Sequence, residues 1–226
     1  EQFSYIASHD LKSPLNSIRQ LASWIKDDCD DILPAESKEH LDLLQSRTQR
    51  MMKLLGDLLS YSRINRFAYD NETVNLNTLV TECFDLLGNP EGFSYAAPYV
   101  EIDIPLIPFE IVLRNLISNS IKHHDKKTGK ISITYQRNMK AHHFTFTDDG
   151  PGIPSHLQEK VMEMFQTLKP RDQVEGSGMG LAFVKKIVEH HNGSLDIKSD
   201  GKHGTTFIIH WPLNYLKQLN TETLEK

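Results

Sequence analysis

The feature that most constrains the fold is a change of hydrophobic period between the first 66 residues and the rest of the chain. Leu11, Leu15, Ile18, Ala22 and Ile25 are spaced four, three, four and three, which at about 100° per residue makes one helical stripe. A second stripe, Leu41, Leu44, Thr48, Met52, Leu55 and Leu59, fades after Ile64. Between them lie an acidic patch, Asp27-Asp28-Cys29-Asp30-Asp31, and the turn Leu33-Pro34-Ala35-Glu36. Two long helices joined this way form a hairpin with one adhesive face. A lone hairpin buries too little, so pairing of two copies through residues 1–66 into a four-helix bundle is expected. The helical pattern is already running at Phe3, Ile6 and Ala7 with no cap before it, so an N-terminal portion is expected upstream.

Residues 67–73 read as a polar linker, 74–213 as a mixed α/β domain and 214–226 as a polar C-terminal tail. Within the second domain the patterns predict a helix at about 76–87, a strand at 100–104 and a helix at 108–123. A strand pair at 130–136 and 142–147, a glycine-rich region, a helix at 180–191 and strands at 194–199 and 205–210 follow. Asn192-Gly193 is a helix stop. The net charge of −5, with no long Lys/Arg run to offset it, argues against a nucleic-acid binder. No apolar run has membrane-spanning length. Cys29 and Cys83 are too few for a disulfide framework or a zinc site. A cytoplasmic setting is expected, including as the cytoplasmic part of a membrane-associated protein.

Four segments carry chemistry. In Ser8-His9-Asp10-Leu11-Lys12-Ser13-Pro14-Leu15, His9 falls nearly opposite the apolar stripe, with Ser13 one turn on and Asn16 and Gln20 continuing that face. Alone, this is a surface histidine. Asn115, Asn119 and Lys122 share a face of the 108–123 helix. They form either a solvated strip or a site where an amide oxygen meets Mg²⁺ and an ammonium meets phosphate. Asp148-Asp149-Gly150-Pro151-Gly152-Ile153 follows a strand. It is either an ordinary turn or a carboxylate accepting from an exocyclic amine, with glycines letting the backbone approach a flat base. Gly176-Ser177-Gly178-Met179-Gly180-Leu181 opens a helix, an arrangement that exposes amide N–H groups to an anion. It lacks both the P-loop lysine and the dinucleotide-fold spacing. The preceding stretch, with Lys169, Pro170, Arg171 and Asp172, suits a mobile basic lid.

In this order the segments resemble the catalytic core of the sensor histidine kinases of two-component systems. Ser8–Leu15 is similar to their phosphoacceptor box, Asn115–Lys122 to their asparagine box, and Asp148–Gly152 and Gly176–Leu181 to their two glycine boxes. Phe165 stands at their phenylalanine box and Gly204-Thr205-Thr206-Phe207 at their closing glycine motif. The stretch Met164-Phe165-Gln166-Thr167-Leu168-Lys169-Pro170-Arg171-Asp172 is most like kinases attached to PAS- or phytochrome-type sensors. The fold implied is a hairpin dimerising into a four-helix bundle, then an α/β sandwich of the Bergerat (GHKL) ATP-binding type.

The resemblance implies ATP and Mg²⁺. His9 would attack the γ-phosphate, with Asp10 orienting or deprotonating the imidazole. Asn119 would ligate Mg²⁺, supported by Asn115, with Lys122 and His123 on phosphates. Asp148 would bind the adenine amino group, with Gly150 and Gly152 around the base, and Thr206 would also belong to the nucleotide site. Gly176, Ser177, Gly178, Gly180 and Leu181 would cradle the phosphates, and Lys169 or Arg171 would take the γ-phosphate contact. The partners implied are a second copy, a response-regulator receiver domain and an upstream sensor domain outside this sequence, with no nucleic acid. Ser13 stands where the family usually has Thr or Asn to position water for dephosphorylating the regulator, so phosphatase activity stays open. A hydrolytic ATPase of the same superfamily would carry a glutamate one turn before the Mg²⁺ asparagine, where this chain has Asn115.

Overall fold

A computed structural model describes residues 2–64, 69–168 and 177–213, with the side chains of residues 2–10 and of Arg63 outside the description. The chain divides into two compact units, Glu1–Phe67 and Ala68–Lys226.

The first unit is a helical hairpin, α1 (Gln2–Cys29) and α2 (Ala35–Arg63). The reversal is tight because the amides of Ile32 and Leu33 both donate to the Cys29 carbonyl, at 3.0 and 2.9 Å. Lys26 bonds Asp42 at 2.5 Å and Lys38 bonds Asp30 at 2.9 Å, tying the helices near the turn through solvent-exposed pairs that contribute little. The predicted stripe of α1 divides between two directions. Leu15 and Ala22 are buried, whereas Leu11, Ile18 and Ile25 stay 43–50% exposed, beside exposed Leu21 and Trp24. On α2 Thr48 is buried and its hydroxyl donates to the Leu44 carbonyl at 2.8 Å. Helix α1 runs through Pro14 without a break, although proline removes the donor that the Asp10 carbonyl would otherwise receive.

The second unit is built on a five-stranded sheet ordered β2-β4-β5-β7-β6, comprising β2 (Phe93–Ala96), β4 (Gly129–Arg137), β5 (Ala141–Asp148), β6 (Ser194–Lys198) and β7 (Thr205–Pro212). Only β2 and β4 pair in parallel. A separate ribbon joins β1 (Asn71–Asn75) to β3 (Glu101–Pro105). Helices α3 (Leu76–Leu86), α4 (Leu106–Lys122) and α5 (Gly180–His190) complete the unit. Period-2 alternation makes the sheet two-faced. Phe144, Phe146, Phe207, Ile209 and Trp211 are buried, and Phe109 of α4 packs on Phe144 at 4.6 Å and Trp211 at 5.7 Å. On the other face His143, Thr145, Thr147, Thr206, Ile208 and His210 stay half-exposed.

Three elements differ from expectation. The strand predicted at 100–104 is β3, and it pairs with β1 rather than with the main sheet. Strand β1 takes in Asn71–Thr73, which the polarity of that stretch had assigned to the linker. Its residues Asn71, Glu72 and Thr73 are exposed, so no hydrophobic alternation marks it. Strand β2 went unpredicted because its four residues, Phe93-Ser94-Tyr95-Ala96, are too few to display a period.

Buried His142 joins ribbon to sheet: Nε2 donates to the Asp103 carbonyl at 3.1 Å while the Tyr135 hydroxyl donates to Nδ1 at 2.8 Å. Burial lowers its pKa, and also that of His191, which packs on Trp211 at 4.6 Å. Folding favours the neutral form of both, so the unfolded chain binds more protons just below 6.5, the ordinary imidazole value. The stability they lend is therefore complete above that pH and is lost as pH falls through their lowered folded values. Denaturant midpoints of the second unit should drop as pH is lowered from 7.5 to the upper edge of the carboxylate range. A flat profile there would contradict the neutral-histidine assignment.

Candidate functional site

The functional side chains of the second unit gather where the C-terminal half of α4, the end of β5 and the first turn of α5 meet. Asn115 donates from Nδ2 to the Ile111 carbonyl at 2.7 Å, one turn back. Its Oδ1 therefore faces Gly180, the first residue of α5. A Cβ at Gly180 would stand 3.1 Å from Asn115 Oδ1 and 3.2 and 3.4 Å from Asn119 Nδ2 and Oδ1. The missing side chain thus lets a helix N-terminus approach two amide groups, with oxygens of the hard, neutral kind that suit Mg²⁺. Lys122 ends α4, and the His123 amide caps it by donating to the Asn119 carbonyl at 3.0 Å.

Asp148 sits at the inner end of β5, with 9% of its surface exposed. Oδ1 accepts from the backbone N–H of Gly150 at 3.0 Å and of Thr205 at 3.3 Å, and Oδ2 accepts from the Ser120 hydroxyl at 3.1 Å. Burial pushes the carboxyl up, against the pull of those three donors. A carboxylate offers about four acceptor directions; three are taken, and the one left on Oδ2 can receive a donor from a ligand.

Two of these contacts lie on residues that motif spacing did not single out. Ser120 is adjacent to Asn119 but points inward, and its serine hydroxyl at a buried helix position was the available signal. Thr205, not Thr206, stands at Asp148. Register pairs Asp148 with Thr205 and Thr147 with Thr206, so Thr206 projects from the opposite face, its hydroxyl 3.1 Å from that of Thr147. Strand alternation forces this correction: a one-residue step along a strand changes the face.

Gly204 closes the same corner. Its φ is +79°, its amide donates to the Gly150 carbonyl at 2.7 Å, and a Cβ there would lie 2.1 Å from the Asp148 carbonyl oxygen. Gly204→Ala combines left-handed strain with a backbone clash and should cost about 3 kcal/mol or more. A Tm lowered by less than a few degrees would show that this corner can relax.

Gly150 is buried beside Asp148, and Gly152 turns the chain at φ +78° against Ser199. Ser199 accepts from the Ile153 amide at 2.9 Å and donates to the Gly204 carbonyl at 2.6 Å, bracing the loop. Gly178 has φ +71°, and a Cβ on it would meet the Gln166 carbonyl oxygen at 2.7 Å. Phe165, beside Gln166, is itself in a left-handed conformation at φ +64°. The two stems of the basic segment thus touch through backbone. Ser177 accepts from the Met179 amide at 3.3 Å, Met179 is fully buried and Leu181 partly so. Lys169, Arg171 and Gly176 lie outside the described residues. His9 and Asp10 belong to α1, with side chains outside the description, and Ser13 is exposed on the same helix.

The side chain of His124, two residues past α4, is covered, 2% exposed. No helix among the described residues is long and apolar enough to cross a membrane.

Residues 1–67 match the family model of the His Kinase A (phospho-acceptor) domain. Residues 106–215 match that of the histidine kinase-, DNA gyrase B-, and HSP90-like ATPases. Cyanobacterial phytochrome B of a Nostoc species is 35% identical over 92% of this chain, which covers 28% of that relative. Phytochrome-like protein Cph1 of a Synechocystis species is 30% identical over 94% of the chain, covering 29% of its length. The signal transduction histidine-protein kinase ArlS of Staphylococcus aureus is 30% identical over 92%, covering 48% of its length. The chain thus spans under a third of these phytochromes and about half of ArlS. Among solved structures, full-length ShkA in complex with AMPPNP shares the fold over 93% of this chain and 45% of its own, with TM-score 0.69 and 20% identity. Histidine kinase ThkA in complex with the response regulator TrrA shares it over 94% of this chain and 61% of its own, with TM-score 0.61 and 22% identity. With a phosphoacceptor-type hairpin leading into an ATPase-type α/β unit, matched in both halves, the chain belongs to the sensor histidine kinases and carries their catalytic core.

Proposed function

We propose that this chain transfers the γ-phosphoryl group of ATP to His9 and passes it on to an aspartate of a response-regulator receiver domain. The observation that carries the reading is the Asp148 corner. A buried carboxylate held by three donors keeps one acceptor direction for an exocyclic amine, beside two amides at a helix N-terminus. The AMPPNP bound by ShkA and the regulator bound by ThkA support the same ligand and partner classes here.

In this reading Asp148 accepts from the adenine amine, with Gly150 and Gly152 letting the base approach. The amide oxygen of Asn119, supported by Asn115, holds Mg²⁺, which when bound offsets the phosphate charge. Lys122 and His123 meet phosphate oxygens, as do the amides of Gly176, Ser177, Gly178, Gly180 and Leu181 at the start of α5. Lys169 or Arg171 reaches the γ-phosphate. One ring nitrogen of His9 donates its lone pair to the γ-phosphorus as the bond to the bridging oxygen breaks and ADP leaves. Asp10 holds the other ring nitrogen and takes its proton. The nitrogen–phosphorus bond then breaks in favour of the regulator's carboxylate oxygen. Ser13, exposed one turn beyond His9, would orient a water that hydrolyses the regulator's aspartyl phosphate, restoring the carboxylate and releasing inorganic phosphate.

The exposed apolar side chains of the hairpin, Leu11, Ile18, Leu21, Trp24, Ile25, Leu43, Leu44 and Met51, support burial against a second copy in a four-helix bundle. The protein would work in the cytoplasm, where ATP is supplied, under an upstream sensor domain.

Incubation with Mg²⁺ and γ-labelled ATP tests the proposal. Acid-labile, alkali-stable label on the protein that chases onto a receiver domain is the expected result. Phosphate release without protein label would replace the reading by that of a hydrolytic ATPase, and neither activity would leave a scaffold.

A further inference from the structure

His124 lies two residues beyond α4, and its covered ring, 2% exposed, is the hub of a cluster that no part of the reaction above uses. The Lys126 backbone N–H donates to its Nδ1 at 3.0 Å, so the ring proton sits on Nε2. That proton faces Asp149 Oδ1 at 3.1 Å. The same carboxylate oxygen accepts the Lys130 amide at 2.6 Å, and the Asp149 amide returns a bond to the Lys130 carbonyl at 3.3 Å. Phe93 of β2 meets the imidazole edge-on, centroids 5.3 Å apart. The chain gives up a side chain at Gly129 to make room for this ring. A Cβ on Gly129 would lie 2.6 Å from Phe93 and 2.8 Å from His124 Nε2. A Cβ on Gly150 would lie 3.6 Å from His124 Cδ2 and 3.0 Å from Asp148 Oδ1.

These contacts form one line of connection. His124 fixes Asp149, Asp149 fixes the turn into Gly150, and the Gly150 amide is one of three donors that aim Asp148. We propose that His124 is a positioning residue for adenine-nucleotide binding, acting from behind the pocket through the Asp149–Gly150 turn rather than by touching the nucleotide. The inference rests on the reading of Asp148 as the adenine contact.

The test uses the full chain and displacement of trinitrophenyl-ATP by ATP. His124→Phe keeps the aromatic volume against Phe93 and loses both hydrogen bonds. His124→Gln keeps an amide donor in reach of Asp149 and loses the ring. Positioning through the hydrogen bond predicts that the Phe variant binds ATP about five- to tenfold more weakly, while the Gln variant stays within about twofold of wild type. A ring that served only as packing would give the reverse order, and that result would overturn the proposal. Asp149→Ala should weaken binding as His124→Phe does, and the two together should be no worse than either alone. Losses that multiply in the double variant would equally overturn it. Wild-type chain that fails to displace the probe would sink the reading of Asp148 and this inference with it. Wild-type binding with unchanged variants would sink the inference alone.

Discussion

His9→Gln should bring covalent phosphate on the chain down to background, a loss of about three orders of magnitude or more, while ATP binds as before. The imidazole of His9 can carry phosphate through nitrogen, and the phosphoramidate so formed is hydrolysed by acid and survives alkali. Glutamine has comparable length, but its amide nitrogen has no available lone pair and cannot attack phosphorus. It is also a good helix former, so α1 has no reason to fray. Nucleotide affinity should hold because Asn115, Asn119 and Asp148 all lie in the other compact unit. Label is counted on the protein after an acid and an alkaline wash, with affinity measured on the same preparation. Acid-stable label persisting in the variant would mean that a hydroxyl is the acceptor, and the central claim would fail.

How much of this was legible in the sequence depends on the range of each constraint. The hairpin, α3, α4, α5 and the β4–β5 pair follow from periodicity because each is long enough to repeat its own pattern. The ribbon was hidden for the opposite reason. Strand β1 is exposed and polar at Asn71, Glu72 and Thr73, so what makes it a strand is its partner β3, some thirty residues on. Within the site, spacing along one helix put Asn115 and Asn119 on a common face, and both do stand at the start of α5. Spacing along a strand end was less forgiving. Thr205 and Thr206 are interchangeable in composition, and only the register of β5 against β7 decides which one meets Asp148. Ser120 and His124 act through partners twenty-five or more residues distant. Nothing local distinguishes them from a small helix residue and a helix end.

Asp148→Asn should weaken ATP binding by about a hundredfold or more and leave the fold nearly unchanged. Both halves of that statement follow from the same three hydrogen bonds. The amide oxygen of asparagine can keep the Gly150 and Thr205 N–H groups on one side. On the other side the new NH₂ meets Ser120, whose hydroxyl already has a second acceptor in the Leu116 carbonyl at 3.1 Å and can turn to accept from the amide. Burial opposes the charge of Asp148 in the folded chain, so neutralising it carries no penalty for stability. The ligand, however, meets a donor where it needs an acceptor. Losing a charge-assisted hydrogen bond and leaving two donors face to face costs about 3–4 kcal/mol together, a factor of a hundred to a thousand in affinity. The same substitution should help a purine that carries a carbonyl at position six. Inosine triphosphate should bind the wild-type chain poorly, with its carbonyl facing the Asp148 carboxylate, and should gain on ATP in the variant, because its oxygen can accept from the new amide. Titration of both nucleotides against both proteins, with apo thermal unfolding alongside, separates the outcomes. Equal ATP affinity in the variant would remove Asp148 from the site. A matching loss for both nucleotides with a lowered Tm would reduce it to a structural residue.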